Sequence, residues 1–290
     1  FDFKFNGNSN TVTLRKGLVC VGAQDNTSFT FSIPDDISVA SPIDANSPSQ
    51  TNPSRCAKFR NLNIFQGTLL KKTFTANGQK DQRFVLQNSF IDTDSIRVFV
   101  TKAGASAGLE YSVLDNITGI NEKSNIFLIQ EVKDEQYELL FGDGLFGKKI
   151  ENGDRIEVTY IVTDGVDGND GKFFSYSGNA VDDSGNPLDS SETVVVKTVQ
   201  TAKGGGEIED IDSIKYIAPR IYSSQYRAVT AKDYEAIIQS VFPDAESVSV
   251  IGGEELDPPE FGTVVLSIKP RNATFLSDFS KSLILDRLKS

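Results

Sequence analysis

Short runs that alternate apolar and polar residues, each bounded by glycine, proline, asparagine or aspartate, recur along this 290-residue chain as far as Lys203. A period of two puts one face of a segment on a core and the other in water, so the chain must fold largely into half-buried strands. Ser28-Phe-Thr-Phe-Ser-Ile33 shows the pattern plainly. Thr11–Gly17 and Leu18–Gly22 read as strands around a glycine turn. Leu62–Thr68, Lys72–Thr75, Gln82–Gln87 and Ser95–Val100 read as further short strands. Such a series predicts a sheet or sandwich of antiparallel strands.

The segment Phe141-Gly-Asp-Gly-Leu-Phe-Gly-Lys-Lys-Ile150, followed by Glu151-Asn-Gly-Asp154 and Arg155-Ile-Glu-Val-Thr-Tyr160, carries the densest turn signal. Asn152-Gly153 favours the positive-φ turns that close tight hairpins. Gly142, Gly144 and Gly147 mark places where the chain turns or another backbone comes close. The expectation is a β-hairpin with a glycine-kinked first arm. Just upstream, Phe127–Val132 and Tyr137–Phe141 flank Asp134-Glu135 and predict a second hairpin.

Composition narrows the function. The net charge of −11 argues against a groove that neutralises nucleic-acid phosphates and against docking on anionic lipid. No apolar run is long enough to span a bilayer, and no signal peptide is evident. Histidine is absent, which removes the commonest general base, the Ser-His-Asp and Cys-His arrangements and most zinc sites. Enzyme readings shrink to carboxylate or lysine chemistry, and no catalytic, cofactor-binding or metal residue is assigned. Cys20 and Cys56 are too few for a disulfide framework and are expected as free thiols. Methionine is also absent, position 1 included, as expected of a fragment or of a sequence from which modified methionines have dropped out.

Two stretches break the strand pattern. Pro34–Arg55 is rich in Ser, Asp, Asn and Pro and predicts a long surface loop, and Phe173–Glu192 reads as a polar insertion. Phe173, Phe174 and Tyr176 beside it are either contact residues or residues packed under their own loop. Asp164-Gly-Val-Asp-Gly-Asn-Asp-Gly171 invites a calcium reading, but its acids fall three apart where an EF-type loop places them at alternate positions. A plain turn is the better reading.

After Lys203 the texture changes. Gly204, Gly205 and Gly206 form a hinge, since they lack the spacing of either phosphate-binding glycine motif. Ile208, Ile211, Ile214 and Ile217 then recur at helical spacing until Pro219, which is expected to stop the helix. A better-marked helix starts at Thr230, whose hydroxyl can cap Asp233 N while the Asp233 carboxylate returns to the cap. Val229 and Tyr234 occupy the staple positions, and Tyr234, Ile237, Ile238 and Val241 make one apolar face. Strands at Ser247–Ile251 and Thr263–Ile268 and a helix from about Ser277, with Phe279, Leu283 and Leu288 on one side, complete an α-β-β-α unit. The fold class is therefore α+β and multi-domain: a β-rich domain at 1–110, a hairpin-rich domain at 111–203, and a small α/β domain at 204–290 that ends where a further strand is expected.

Here the residues carry a resemblance. Arg220–Glu235 followed by Phe242–Gly253 is similar to the signature region of the Baseplate J-like family of contractile tail machines. Gly204–Glu209 with Ala218-Pro-Arg220, Phe141-Gly-Asp-Gly144 with Gly147, Gly67 with Lys72–Thr75 and Asp81–Leu86, and Val12–Phe31 resemble other family patterns in the right order. The long Pro-rich loop, the polar insertion and the overall size look more like a large baseplate-wedge protein of a contractile-tailed bacteriophage. The resemblance implies a virion structural subunit, made in host cytoplasm, that binds other wedge proteins and copies of itself in a ring around the tail hub. It also implies a part in the rearrangement that triggers sheath contraction. The interface or structural candidates are then Gly142, Asp143, Gly144 and Gly147, the hinge Gly204–Gly206, Arg220 and Arg227, and the helix start Thr230, Asp233 and Tyr234. The two arginines can bridge to an acidic partner or pair with local carboxylates. A host-receptor adhesin and a carboxylate-dependent glycosidase are the rival readings.

Overall fold

The computed structural model describes residues 1–24, 27–45, 47, 51–79, 82–114, 119–188, 193–206, 211–224, 227–242, 245–271, 275–276 and 278–289. They form two compact units, Phe1–Gly205 and Gly206–Ser290.

The first unit opens with β1 (Asp2–Asn6), β2 (Thr11–Leu14), β3 (Gly17–Gln24), β4 (Thr27–Ile33), β5 (Ile37–Ala40), β6 (Ser54–Lys58) and β7 (Phe65–Gln66). It continues with β8 (Thr68–Thr75), β9 (Phe84–Leu86), β10 (Ile91–Thr101), β11 (Leu109–Val113), β12 (Ile126–Val132), β13 (Gln136–Phe141) and β14 (Arg155–Val162). It closes with β15 (Lys172–Tyr176), β16 (Ala180–Val181) and β17 (Thr193–Val195).

Strands from the two ends of this unit share small sheets, in the orders β17-β1-β6, β15-β3-β4-β7 and β16-β2-β5. Their alternating apolar positions meet in a core of Phe3, Phe5, Val12, Leu14, Val19, Ile33, Ala57 and Phe59. The middle of the chain forms one sheet, β8-β14-β10-β11-β12-β13-β9, antiparallel except where β11 runs beside β12. That sheet curls until its two edges meet: the rings of Phe74 on β8 and Phe84 on β9 lie edge to face, 5.6 Å apart. Inside the curl are Leu86, Val98, Val100, Tyr111, Phe127, Leu139, Ile156 and Val158, all buried. The sheet takes β8–β10 from before residue 110 and β12–β14 from after it, with β11 spanning that residue, so it crosses the expected boundary there.

Several local expectations are corrected. Phe141–Ile150 and Arg155–Tyr160 are not two arms of a hairpin, because β13 pairs with β12 and β9 while β14 pairs with β8 and β10. Asn152-Gly153 does make a turn, with Gly153 at φ 86° and Asp154 N donating to Glu151 O, but it only leads the chain into β14. The hairpin expected around Asp134-Glu135 is β12–β13. Pro34–Arg55 is not one long loop, since Ile37–Ala40 pairs with β2 through period-two residues that the surrounding prolines obscured. The polar insertion likewise contains β15 and β16.

The second unit contains α1 (Ile211–Ser224), α2 (Ala231–Val241), β18 (Ala245–Gly252), β19 (Val264–Pro270) and α3 (Asp278–Lys289). The helix α2 packs against α1, α3 and β18, and Ala236, Ile237 and Ile238 on its inner face are buried with Ala245 and Ile284. Pro219 does not stop α1. It removes the backbone bond that position 219 would give to Lys215 O, and, one residue on, the Arg220 guanidinium donates to Tyr216 O. The expected positions Ile208 and Ser277 and the side chains of Phe279 and Leu283 lie outside the described residues. A protein of β-rich body and small α/β unit results, which is the α+β class read from the strand pattern.

Candidate assembly surface

The loop between β13 and β14 is shaped by the close approach of two glycines. A Cβ on Gly142 would lie 2.2 Å from the Gly147 carbonyl carbon, so only hydrogen fits there. Gly144 N donates to Gly147 O at 3.0 Å, and Gly147 N and Lys148 N donate to Asn121 O and Ser124 O at 3.2 and 2.8 Å. These bonds stitch the loop to the segment ahead of β12. Asp143 Oδ1 accepts from Leu145 N and Phe146 N, both at 2.8 Å. Those two bonds hold its carboxyl below the usual carboxylate range.

The folded loop aims its apolar residues outward. Leu145 is 83% exposed and Phe146 38%, beside a hollow of about 490 Å³ lined by Ile120, Asn121, Glu122, Lys123 and Leu145. On the outer face of the adjoining strands Leu128 and Leu140 stand directly opposite each other and are partly exposed. Gly147 connects the two features, since a Cβ there would meet Ile126 Cγ1 at 2.7 Å. The outer face of β12–β13 and the loop thus present leucines and a phenylalanine to solvent, where an isolated chain would place polar residues.

The turn into β14 anchors this region from behind. Asp154 is buried; burial alone would raise its carboxyl, but Lys102 Nζ at 2.7 Å, Glu151 N at 2.8 Å and Ala103 N at 3.2 Å outweigh it and hold the carboxyl low. This is a structural anchor, with every oxygen turned to a donor. Asp164 of the acidic loop is similarly engaged, accepting from Gln66 Nε2 at 2.6 Å. Among the described residues no group of three or more His, Cys, Asp or Glu is placed to hold a metal ion. Burial pushes the Cys20 thiol up to about 12, so it is no nucleophile at neutral pH.

The remaining candidates separate. Gly204 takes φ 91° and Gly206 has open space where a side chain would go, but Gly205 is held against its own unit by Asn169. Arg220 stacks on the Tyr216 ring, 3.5 Å from its centre, and Arg227 is exposed. Thr230 forms the expected cap: Asp233 N donates to Thr230 Oγ1 at 3.3 Å, and Thr230 N donates to Asp233 Oδ2 at 2.8 Å. The Asp233 carboxyl is lowered by that backbone bond. Tyr234 is half-buried, but Val229 is 78% exposed and closes no staple over it. Phe174 and Tyr176 belong to the core, edge to face with Phe31 at 4.9 Å and Phe3 at 5.0 Å, whereas Phe173 is 83% exposed. Leu128, Leu140 and Asn169 were not singled out from sequence. The first two had a signal in the unbroken apolar runs Phe127-Leu-Ile129 and Leu139-Leu-Phe141, which leave no polar face; Asn169 had none.

The comparisons name structural proteins of a phage baseplate. Residues 230–290 match a family model described as baseplate structural protein gp6, C-terminal domain I. The match starts at the Thr230 cap and covers the α-β-β-α unit; its description names gp6, not the Baseplate J-like family. In an alignment 253 residues long that covers 80% of the chain, the identity to the baseplate wedge protein gp6 of Enterobacteria phage T4 is 24%. The chain spans 36% of that protein's length.

Proposed function

We propose that this chain is a structural part of the tail baseplate of a contractile-tailed bacteriophage and works without catalysis. The observation that carries the reading is the 253-residue similarity to a baseplate wedge protein, which runs through both units. The site chemistry supports it: a glycine-shaped loop offers Leu145 and Phe146, and the nearby carboxylates are occupied by backbone donors and lysine. Such a surface suits assembly, where apolar anchors in a polar rim supply most of the affinity.

In the finer form of this proposal the chain joins neighbouring wedge proteins and copies of itself into a ring around the tail hub. It shifts with the baseplate when the sheath contracts, with 204–290 as a domain that turns about the glycines at its start. Its place is the virion tail, reached from host cytoplasm during assembly. Light scattering and pull-down against purified wedge proteins of the same phage test this. Self-association and capture of at least one wedge protein are expected. A strict monomer that captured none of them but bound envelope sugars would overturn it.

A further inference from the structure

The last residues of the first unit are fastened to its surface by a side chain. Asn169 Nδ2 donates to Gly205 O at 2.8 Å, and Gly205 N donates back to Asn169 Oδ1 at 2.9 Å. Asn169 thereby offers the chain the same donor and acceptor that a neighbouring strand would offer. Just upstream, Asp170 N donates to Ala202 O at 2.8 Å and Ala202 N to Gly171 O at 3.1 Å. Ala202 also packs on the small apolar cluster of Cys20, Phe29 and Phe31. Gly205 fits this position only as glycine, because a Cβ would sit 2.2 Å from Gly165 O.

The loop that grips the linker is itself fixed. Gln66 clasps Asp164 in both directions, Nε2 to Oδ2 at 2.6 Å and Asp164 N to Oε1 at 2.9 Å. Gly168 lies so close to Gln66 that a Cβ would meet its Cγ at 2.5 Å. The next element upstream of the linker is β17, whose Val195 is opposite Asp2 of β1. Between these two anchors lie residues 196–205.

We propose that Asn169 is the catch of a latch that stores residues 196–205 on the first unit. With the latch closed the chain leaves that unit after Gly205; with it open, after Val195. Fully extended, those roughly ten residues reach about 35 Å, so opening gives the following unit that much more tether without unfolding either core. Four hydrogen bonds and one alanine contact hold the latch, and a segment peeled from its end breaks them in turn. Segments held so lightly open far below the global stability. The inference rests on this geometry and not on the chain's place in a baseplate.

Trypsin reads the latch directly in the full chain, because Lys203 is exposed but lies between the gripped residues Ala202 and Gly205, while Lys197, also exposed, lies in the stored segment ahead of them. In the wild type, cleavage after Lys197 should outpace cleavage after Lys203. Asn169→Ala and Gly205→Ala should each raise the Lys203 rate by about tenfold or more, with the Lys197 rate and the urea midpoint unchanged. An equal Lys203 rate in the wild type and both variants would overturn the latch. Hydrogen exchange on the wild type decides independently of any variant: protected Ala202 and Gly205 amides are expected, and exchange of both at the free-peptide rate would also overturn it.

Discussion

Lys102 and Asp154 form a 2.7 Å ion pair that joins the end of β10 to the turn before β14, with Asp154 almost wholly buried and Lys102 about a quarter exposed. The same carboxylate accepts from Glu151 N and Ala103 N, so removing it strands two backbone donors and leaves the ammonium its longer contacts with Glu151 Oε2 at 3.3 Å and Lys149 O at 3.4 Å. Asp154→Ala should destabilise the first unit by about 2–3 kcal/mol, the range for orphaned buried donors beside a partly solvated charge. Urea unfolding monitored on that unit measures it.

The pH dependence of this pair has a definite sign. The folded carboxyl titrates below the unfolded value of about 3.9, so its stabilisation is complete above that value and is lost as pH falls through the folded pKa. The stability difference between wild type and Asp154→Asn should therefore be constant at neutral pH and shrink below about pH 4. A difference unchanged down to pH 2 would contradict the assignment.

Thr230→Ala should cost the second unit about 1 kcal/mol, because Asp233 N loses the hydroxyl acceptor at the start of α2 and keeps the Thr230 carbonyl at 2.9 Å. Thr230→Ser keeps the hydroxyl and should restore most of it. The denaturation midpoint of that unit in the three proteins is the check.

Cys20 should remain unreactive toward a thiol reagent in the native protein, since its thiol is buried and pushed up to about 12, while the less buried Cys56 reacts. Counting thiols without and with denaturant gives one and two, respectively, on this account.

Much of this was legible in the sequence where the cause is local. The cap at Thr230 needs only residues three apart, β4 follows from alternation within its segment, and β12 and β13 follow from two short apolar runs on either side of Asp134-Glu135. Pairing is not local, and there the sequence misled. Asn152-Gly153 signals a turn truthfully but says nothing about which strands lie beside β13 and β14, which end up on different parts of one curled sheet. The glycines of the candidate loop were visible as glycines, yet the contact of Gly142 with Gly147 and the exposure of Leu145 depend on Asn121 and Ser124 some twenty residues away. Gly205 shows the limit most clearly: a run of three glycines reads as a hinge, and only Asn169 reveals that one of them is held.

The central claim is that Leu145 and its loop form a contact made on assembly into a baseplate. Leu145 is 83% exposed, so Leu145→Asp should change the stability of the isolated chain by no more than about 0.5 kcal/mol. In an electron cryomicroscopy map of a baseplate containing this subunit, Leu145 should be buried against a neighbouring protein, and Leu145→Asp should reduce incorporation at least about tenfold. A map with Leu145 in open solvent, or full incorporation of the variant, would contradict the account.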